Sequence, residues 1–208
     1  MDFYEVVKAR KTIREFSDKK VDKEIIERIL SAGLMAPTND HLRNWEFVVI
    51  TEKEMIKNII MPIPQAISEK NLDNIINSWK VNAPIQKEMY ESAILKQYNM
   101  LIKSECLILP FFKQESPLLN PKNLSALNGF ASIWCCIENI MLATTAEKLG
   151  CAIKIPFEKE TEHIFETLKH PKDYFMPCYL AIGYPISKIK SPKQFKQKIK
   201  DKIHYNKW

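Results

Sequence analysis

Glycine is nearly missing: the 208-residue chain has only Gly33, Gly129, Gly150 and Gly183. None is close enough to another for a G-x-G-x-x-G turn or a Walker-type loop. The usual backbone cradles for dinucleotides and nucleoside triphosphates are therefore excluded, and any phosphate held here must be gripped largely by side chains. The five cysteines (Cys106, Cys135, Cys136, Cys151, Cys178) form no C-x-x-C, and the four histidines show no paired spacing. That argues against a metal site and for reduced thiols. The opening Met-Asp-Phe-Tyr-Glu lacks a basic-then-apolar leader pattern. The longest apolar run, Gly129 to Ala146, is interrupted by Glu138 and Asn139, which predicts a core helix rather than a membrane span. Together these absences predict a cytoplasmic protein with no membrane partner.

Positive charge is present but uneven. From Ser187 to Trp208 there are eight Lys and one Asp, a net of +7; the other 186 residues hold 23 basic and 24 acidic side chains, a net of −1. The basicity belongs to the tail, where the aromatics cluster at the end instead of interleaving with lysines, so no nucleic-acid partner is expected. With 46% apolar and 27% charged residues, the chain is an ordinary globular one, long enough for a single domain with a sizeable core.

Phe3, Val6 and Val7 predict a short helix over residues 2–9. Asp22 is placed to cap a helix whose apolar stripe is Ile25, Ile26, Ile29, Leu30 and Leu34. Ala36-Pro37-Thr38-Asn39-Asp40 breaks it. Trp45–Ile50, Cys106–Phe112, Cys151–Ile155 and Cys178–Gly183 read as strands. Helices are expected over 52–60, from Ser125 as cap to about Leu149 with Gly150 as the stop, and over 159–168. Residues 61–105, broken at Pro62, Pro64 and Pro84, read as a helical cover. The whole is one α+β domain, 1–208, ending in a basic tail, 187–208.

The densest chemistry lies in Arg10-Lys11-Thr12-Ile13-Arg14-Glu15-Phe16. Guanidinium groups grip oxyanions bidentately, Lys adds a point charge, and Thr offers a hydroxyl and an N–H. A phosphate monoester suits that set, as does a plain solvated turn. Residues elsewhere favour the phosphate. R-K-T-I-R-E-F, A-P-T-N-D-H-L-R-N-W-E-F-V-V-I, A-T-T-A-E-K-L-G-C and Y-L-A-I-G-Y-P with the terminal H-Y-N-K-W occur in an order and spacing that resembles the FMN-dependent nitroreductase family. The resemblance covers residues 2–57 and 106–208.

The resemblance implies a nitroreductase-like sandwich, a central mostly antiparallel sheet flanked by helices, in an intertwined homodimer with one FMN at each of two interface sites. It assigns Arg10, Lys11 and Thr12 to the FMN phosphate and ribityl end and Arg14 to the ring, where negative charge collects on reduction. Pro37, Thr38 and Asn39 would reach a site of the other subunit. Backbone from Ile153 through Ile155 to Pro156 would pass over the ring near N5. Lys196, with Lys193 and Lys198 as competitors, would complete the phosphate clamp. No catalytic dyad is required, because the cofactor carries the chemistry. NADH or NADPH would reduce it, and a nitroaromatic, quinone or related small-molecule acceptor would follow in ping-pong order. The chain departs from the family pattern at His41, Arg43 and Asn44, where Asn, Gln and Pro are usual. His41 and Arg43 are thus candidates for substrate contact or tuning of the ring. A non-catalytic flavin-binding sensor or carrier is the alternative reading.

Overall fold

Five strands form the frame: β1 (Trp45–Ile50), β2 (Cys106–Lys113), β3 (Gly150–Lys154), β4 (Tyr174–Phe175) and β5 (Tyr179–Gly183). They pair antiparallel in the order β1-β2-β5-β3, with β4 also on β2. The computed structural model describes residues 1–39, 41–81, 83–115, 117–188 and 197–208. Pro110, a poor residue for a central strand, falls in the gap between the β5 and β4 pairings of β2. The two-residue β4 has no periodicity to read and was not expected.

Period-two alternation splits the core into two layers. Leu107, Leu109 and Phe111 of β2, with Tyr179 and Ala181 of β5, face one side. There they meet α3 (Lys53–Ile59), α6 (Gln97–Ile102) and α8 (Glu158–Leu168) through Ile56, Ile59, Met100, Leu101 and Ile164. Cys106, Ile108, Leu180 and Ile182 face the other side, under α2 (Lys23–Leu34) and α7 (Asn128–Ala146). The α7 residues Ile133, Ile137 and Ile140 are fully buried there with Ile29 of α2; each contributes about 1.5–3 kcal/mol of transfer free energy. The helices cross closely because Gly33 has no Cβ: one would lie 2.7 Å from Ile140 Cγ1.

The expected cover resolves into α4 (Glu69–Ser78), α5 (Pro84–Leu95) and α6. Its last part is core, since Met100 and Leu101 are buried. Asp22 occupies the N-cap of α2, but its side chain makes no capping bond. Instead its carbonyl accepts from the N–H groups of Ile25 and Ile26.

Helix α7 corrects three expectations. Ser125 lies inside a short 3-10 turn (Leu124–Leu127) capped by Asn123, whose Oδ1 accepts from the Ala126 N–H. The helix stops at Ala146 in a Schellman motif: Lys148 N–H donates to Thr145 and Leu149 N–H to Thr144. Lys148, at φ 60°, takes the left-handed position, not Gly150. Cys136 is buried, whereas Cys135 is exposed. From Leu124 to Ala146 the segment is long and apolar enough to cross a membrane by length and composition, and only 22% of its most apolar window is buried within this chain.

Candidate functional site

Helix α1 (Phe3–Ala9) delivers the basic segment. Arg10 closes it with its N–H on the Val6 carbonyl and turns the chain out at ψ 123°. The chain then runs along the outer edge of β3. Thr12 bridges Cys151 in parallel, Ile13 N–H donates to the Cys151 carbonyl at 2.9 Å, and Ser17 N–H donates to Tyr184. Gly150 makes this approach possible, because a Cβ there would sit 2.6 Å from Ile13 Cβ.

Cations dominate this edge. Arg10 Nε is 3.9 Å from Glu138 of α7, a long contact between partly exposed groups. Glu15, the acid within the segment, is engaged by Lys96 at 2.7 Å. Lys11 and Ile13 line a groove of about 320 Å³ with Thr145, Lys148, Ile186 and Ser187. Arg14 is half-buried, and among the described residues it has neither hydrogen bond nor ion pair. Burial alone lowers its pKa. A guanidinium partly stripped of water and lacking an acid suits an anion or a polarisable ring edge, and FMN fits that requirement.

β3 starts beside this segment at the Thr12–Cys151 pairing and leads on to residues 155–157. Ile153 is half-buried, Ile155 is exposed, and Pro156 and Phe157 carry the chain into α8. Between them lies a pair that the sequence reading missed. Lys154 Nζ donates to both carboxylate oxygens of Glu160, at 2.7 and 2.6 Å, and the side chains are 2% and 4% exposed. Its only sequence signal is a lone Lys in the apolar run C-A-I-K-I-P.

The turn after α2 is strained: His41 (φ 59°) and Arg43 (φ 47°) both lie in the left-handed region that side chains with a Cβ disfavour. Arg43 steadies it, with Nε donating to the Leu34 carbonyl at 2.8 Å and Nη1 to the His41 carbonyl at 3.4 Å. A cation on the last carbonyls of a helix also complements the helix dipole. Asn39 accepts from Asn128 Nδ2 at 2.9 Å, which seats the turn at the start of α7. Pro37 is exposed and Thr38 half-buried beside it.

Helix α2 runs antiparallel to α7, as Arg28–Glu147 and Asn139–Ala32 contacts show. The turn therefore sits by Asn128 and Arg10 by Glu138, ten residues or about 15 Å apart along the helix. The fold pairs the segment of Arg10, Lys11, Thr12 and Arg14 with the start of β3 at Cys151, and the same strand carries the chain on to Ile153, Ile155 and Pro156. It leaves Pro37, Thr38 and Asn39 farther along α7, by Asn128, with Arg43 tied back to the end of α2. Lys196 and Lys193 lie outside the described residues; Lys198 is exposed before a short 3-10 turn. The buried thiols are inert: desolvation pushes Cys106, Cys136 and Cys151 up to about 12.

Known proteins resemble this chain in sequence and fold. A Methanothermobacter thermautotrophicus protein, provisionally named NADH dehydrogenase/NAD(P)H nitroreductase, is 25% identical over 100% of this chain and 88% of its own. The iodotyrosine deiodinase of Danio rerio is 25% identical over 91% of this chain, which spans 62% of that protein. Among solved structures, an FMN-dependent nitroreductase from Clostridium difficile R20291 superposes with a TM-score of 0.67 at 22% identity, covering 98% of each chain. The profile of the Nitroreductase family matches residues 7–184, and with that match over most of its length the chain belongs to the Nitroreductase family.

Proposed function

We propose that this protein is an FMN-dependent oxidoreductase that takes electrons from NADH or NADPH and passes them to a nitroaromatic, quinone or related aromatic acceptor. The observation that carries the reading is the Thr12–Cys151 pairing, which sets a cationic segment containing an unpartnered Arg14 against the first residues of the strand that leads to Ile155-Pro156. Arg10, Lys11 and Thr12 would hold the phosphate end through charge-assisted hydrogen bonds, and Arg14 would face the ring. Lys196 is the proposed tail cation. FMN, when bound, supplies hydride acceptance and donation at N5.

The site is completed by a second copy of the chain. The turn at Pro37, Thr38 and Asn39 lies too far along α7 to serve the basic segment of its own protomer, whereas a two-fold mate brings it across. Apolar surface supports the pairing. Phe3, Tyr4 and Val7 of α1 are exposed, as are Ile199, Ile203, Tyr205 and Trp208 of the tail, and α7 keeps an open face. Isolated monomers seldom leave so much apolar surface uncovered.

His41 and Arg43 travel with that turn, so their charge would be felt in the partner's site. Positive charge there would draw acceptors bearing a carboxylate. That a relative is named for deiodinating iodotyrosine, an amino acid with a carboxylate, supports the choice. FMN-loaded protein is expected to oxidise NADH or NADPH steadily, and to prefer carboxylate-bearing aromatic acceptors over neutral nitroaromatics most strongly at low salt. Loaded protein that oxidises neither donor would instead be a flavin carrier. Equal preference in wild type and in a His41→Asn, Arg43→Gln double variant would remove the charge argument.

A further inference from the structure

The Lys154–Glu160 pair brackets the turn 155–157. Lys154 ends β3, Glu160 occupies the first turn of α8, and Lys154 Nζ also lies 3.3 Å from the Ile155 carbonyl. The cation sits among aromatic faces, 5.1 Å from the Phe157 ring centroid and 5.5 Å from that of Tyr179. Tyr179 is the register partner of Lys154 across the sheet. Its hydroxyl is buried and makes no hydrogen bond, while burial and the nearby Glu160 push the phenol well above its usual range. Three polar groups are thus packed into an apolar layer to hold one short turn. That turn presents Ile155 and Phe157 outward, 54% and 64% exposed.

A buried ion pair is a poor source of net stability, because desolvation cancels most of the attraction and well-packed apolar replacements are often neutral or better. What such a pair does supply is a single geometry. Both oxygens of Glu160 are used by one ammonium, so β3 and α8 are fixed in distance and direction. We infer that Lys154 and Glu160 are positioning residues: they clamp the turn 155–157 and so set where the backbone from Ile153 to Pro156 lies against the flavin ring. This rests on the proposed FMN reading for its consequence, but not for the clamp itself.

The test compares wild type with a Lys154→Met, Glu160→Leu double variant, which removes both charges and keeps the volume. Three quantities are read on the full chain: thermal stability, amide exchange in the first turn of α8, and the rate of flavin reduction by NADH in FMN-loaded protein. The Glu160 and Thr161 N–H groups both donate to the Phe157 carbonyl at 3.0 Å, so they report on the clamp without any flavin. The variant is expected to melt no lower than wild type. Its Glu160 and Thr161 amides should exchange about tenfold faster or more. FMN affinity should change little, while flavin reduction falls about tenfold or more, the scale of losing a well-placed geometry. If the double variant does not fold, Lys154→Met with Glu160→Gln, which also removes both charges but keeps the shape of residue 160, gives the same comparison. Unchanged exchange in a folded variant would overturn the clamp. Faster exchange with a wild-type reduction rate would overturn the positioning role. Wild-type protein that cannot hold FMN would overturn the flavin reading, and the exchange comparison would still decide the clamp.

Discussion

Gly150 is small because Ile13 occupies the space its side chain would need. Gly150→Ala should therefore destabilise the fold by about 1–3 kcal/mol, the cost of overpacking a filled site, measurable by chemical denaturation of the apoprotein. The same change pushes the basic segment off β3, so FMN affinity should fall with it. Arg10 behaves differently. Its only ion pair among the described residues is the 3.9 Å contact to Glu138, so Arg10→Ala should leave apoprotein stability nearly unchanged. It should weaken FMN binding by about 1.5–3 kcal/mol, the range for a hydrogen bond to a charged group. Loss of fold with unchanged flavin affinity per folded molecule would mark Arg10 as structural. These residues show what a sequence can and cannot say. The cationic cluster is legible because its members are contiguous. The packing role of Gly150 is not, since Ile13 is 137 positions away in the chain and a glycine after a helix reads as a stop. Lys154 and Glu160 are hidden for a related reason: their spacing crosses from a strand to a helix, and neither period marks it.

Outside residues 61–105 the helices and longer strands were legible because each carries an amphipathic stripe or a β-branched run that must be buried, and their ends fell within a few residues of those expected. What periodicity could not supply was the way each helix ends. Lys148 holds the left-handed position that glycine usually takes, a strain of about 1 kcal/mol. Lys148→Gly should recover about that much, read as a raised denaturation midpoint. The α2–α7 layer has its own electrostatic tie, Arg28 donating to both oxygens of Glu147 at 2.8 and 3.0 Å. Those hydrogen bonds hold the Glu147 carboxyl below its usual range. A depressed carboxylate pKa means the unfolded chain binds the proton more readily. The stabilisation is therefore present above the ordinary carboxylate range and is lost as pH falls through the lower folded pKa. Arg28→Gln should melt slightly lower than wild type at neutral pH, and the two melting curves should converge in acid. A gap that persists unchanged at low pH would show that the contact acts through packing instead.

At the scale of the molecule, the proposed parts of the flavin site fall at separate places on one chain. The basic segment meets the start of β3 at one sheet edge, while the turn carrying Pro37, Thr38 and Asn39 is moored at the start of α7 by Asn39 and Asn128. The exposed apolar residues of α1, α7 and the tail lie on surface that a second copy would cover. FMN binding and dimerisation should therefore be inseparable, and dilution that splits the dimer should release the flavin. The most direct check is to measure mass by light scattering and flavin by visible absorbance on the same chromatographic peak, with the flavin identified after heat release. The expected result is a yellow species of twice 24.3 kDa carrying FMN, not FAD. A colourless protein that FMN cannot reconstitute, or a stable 24.3 kDa monomer that still holds FMN, would contradict it.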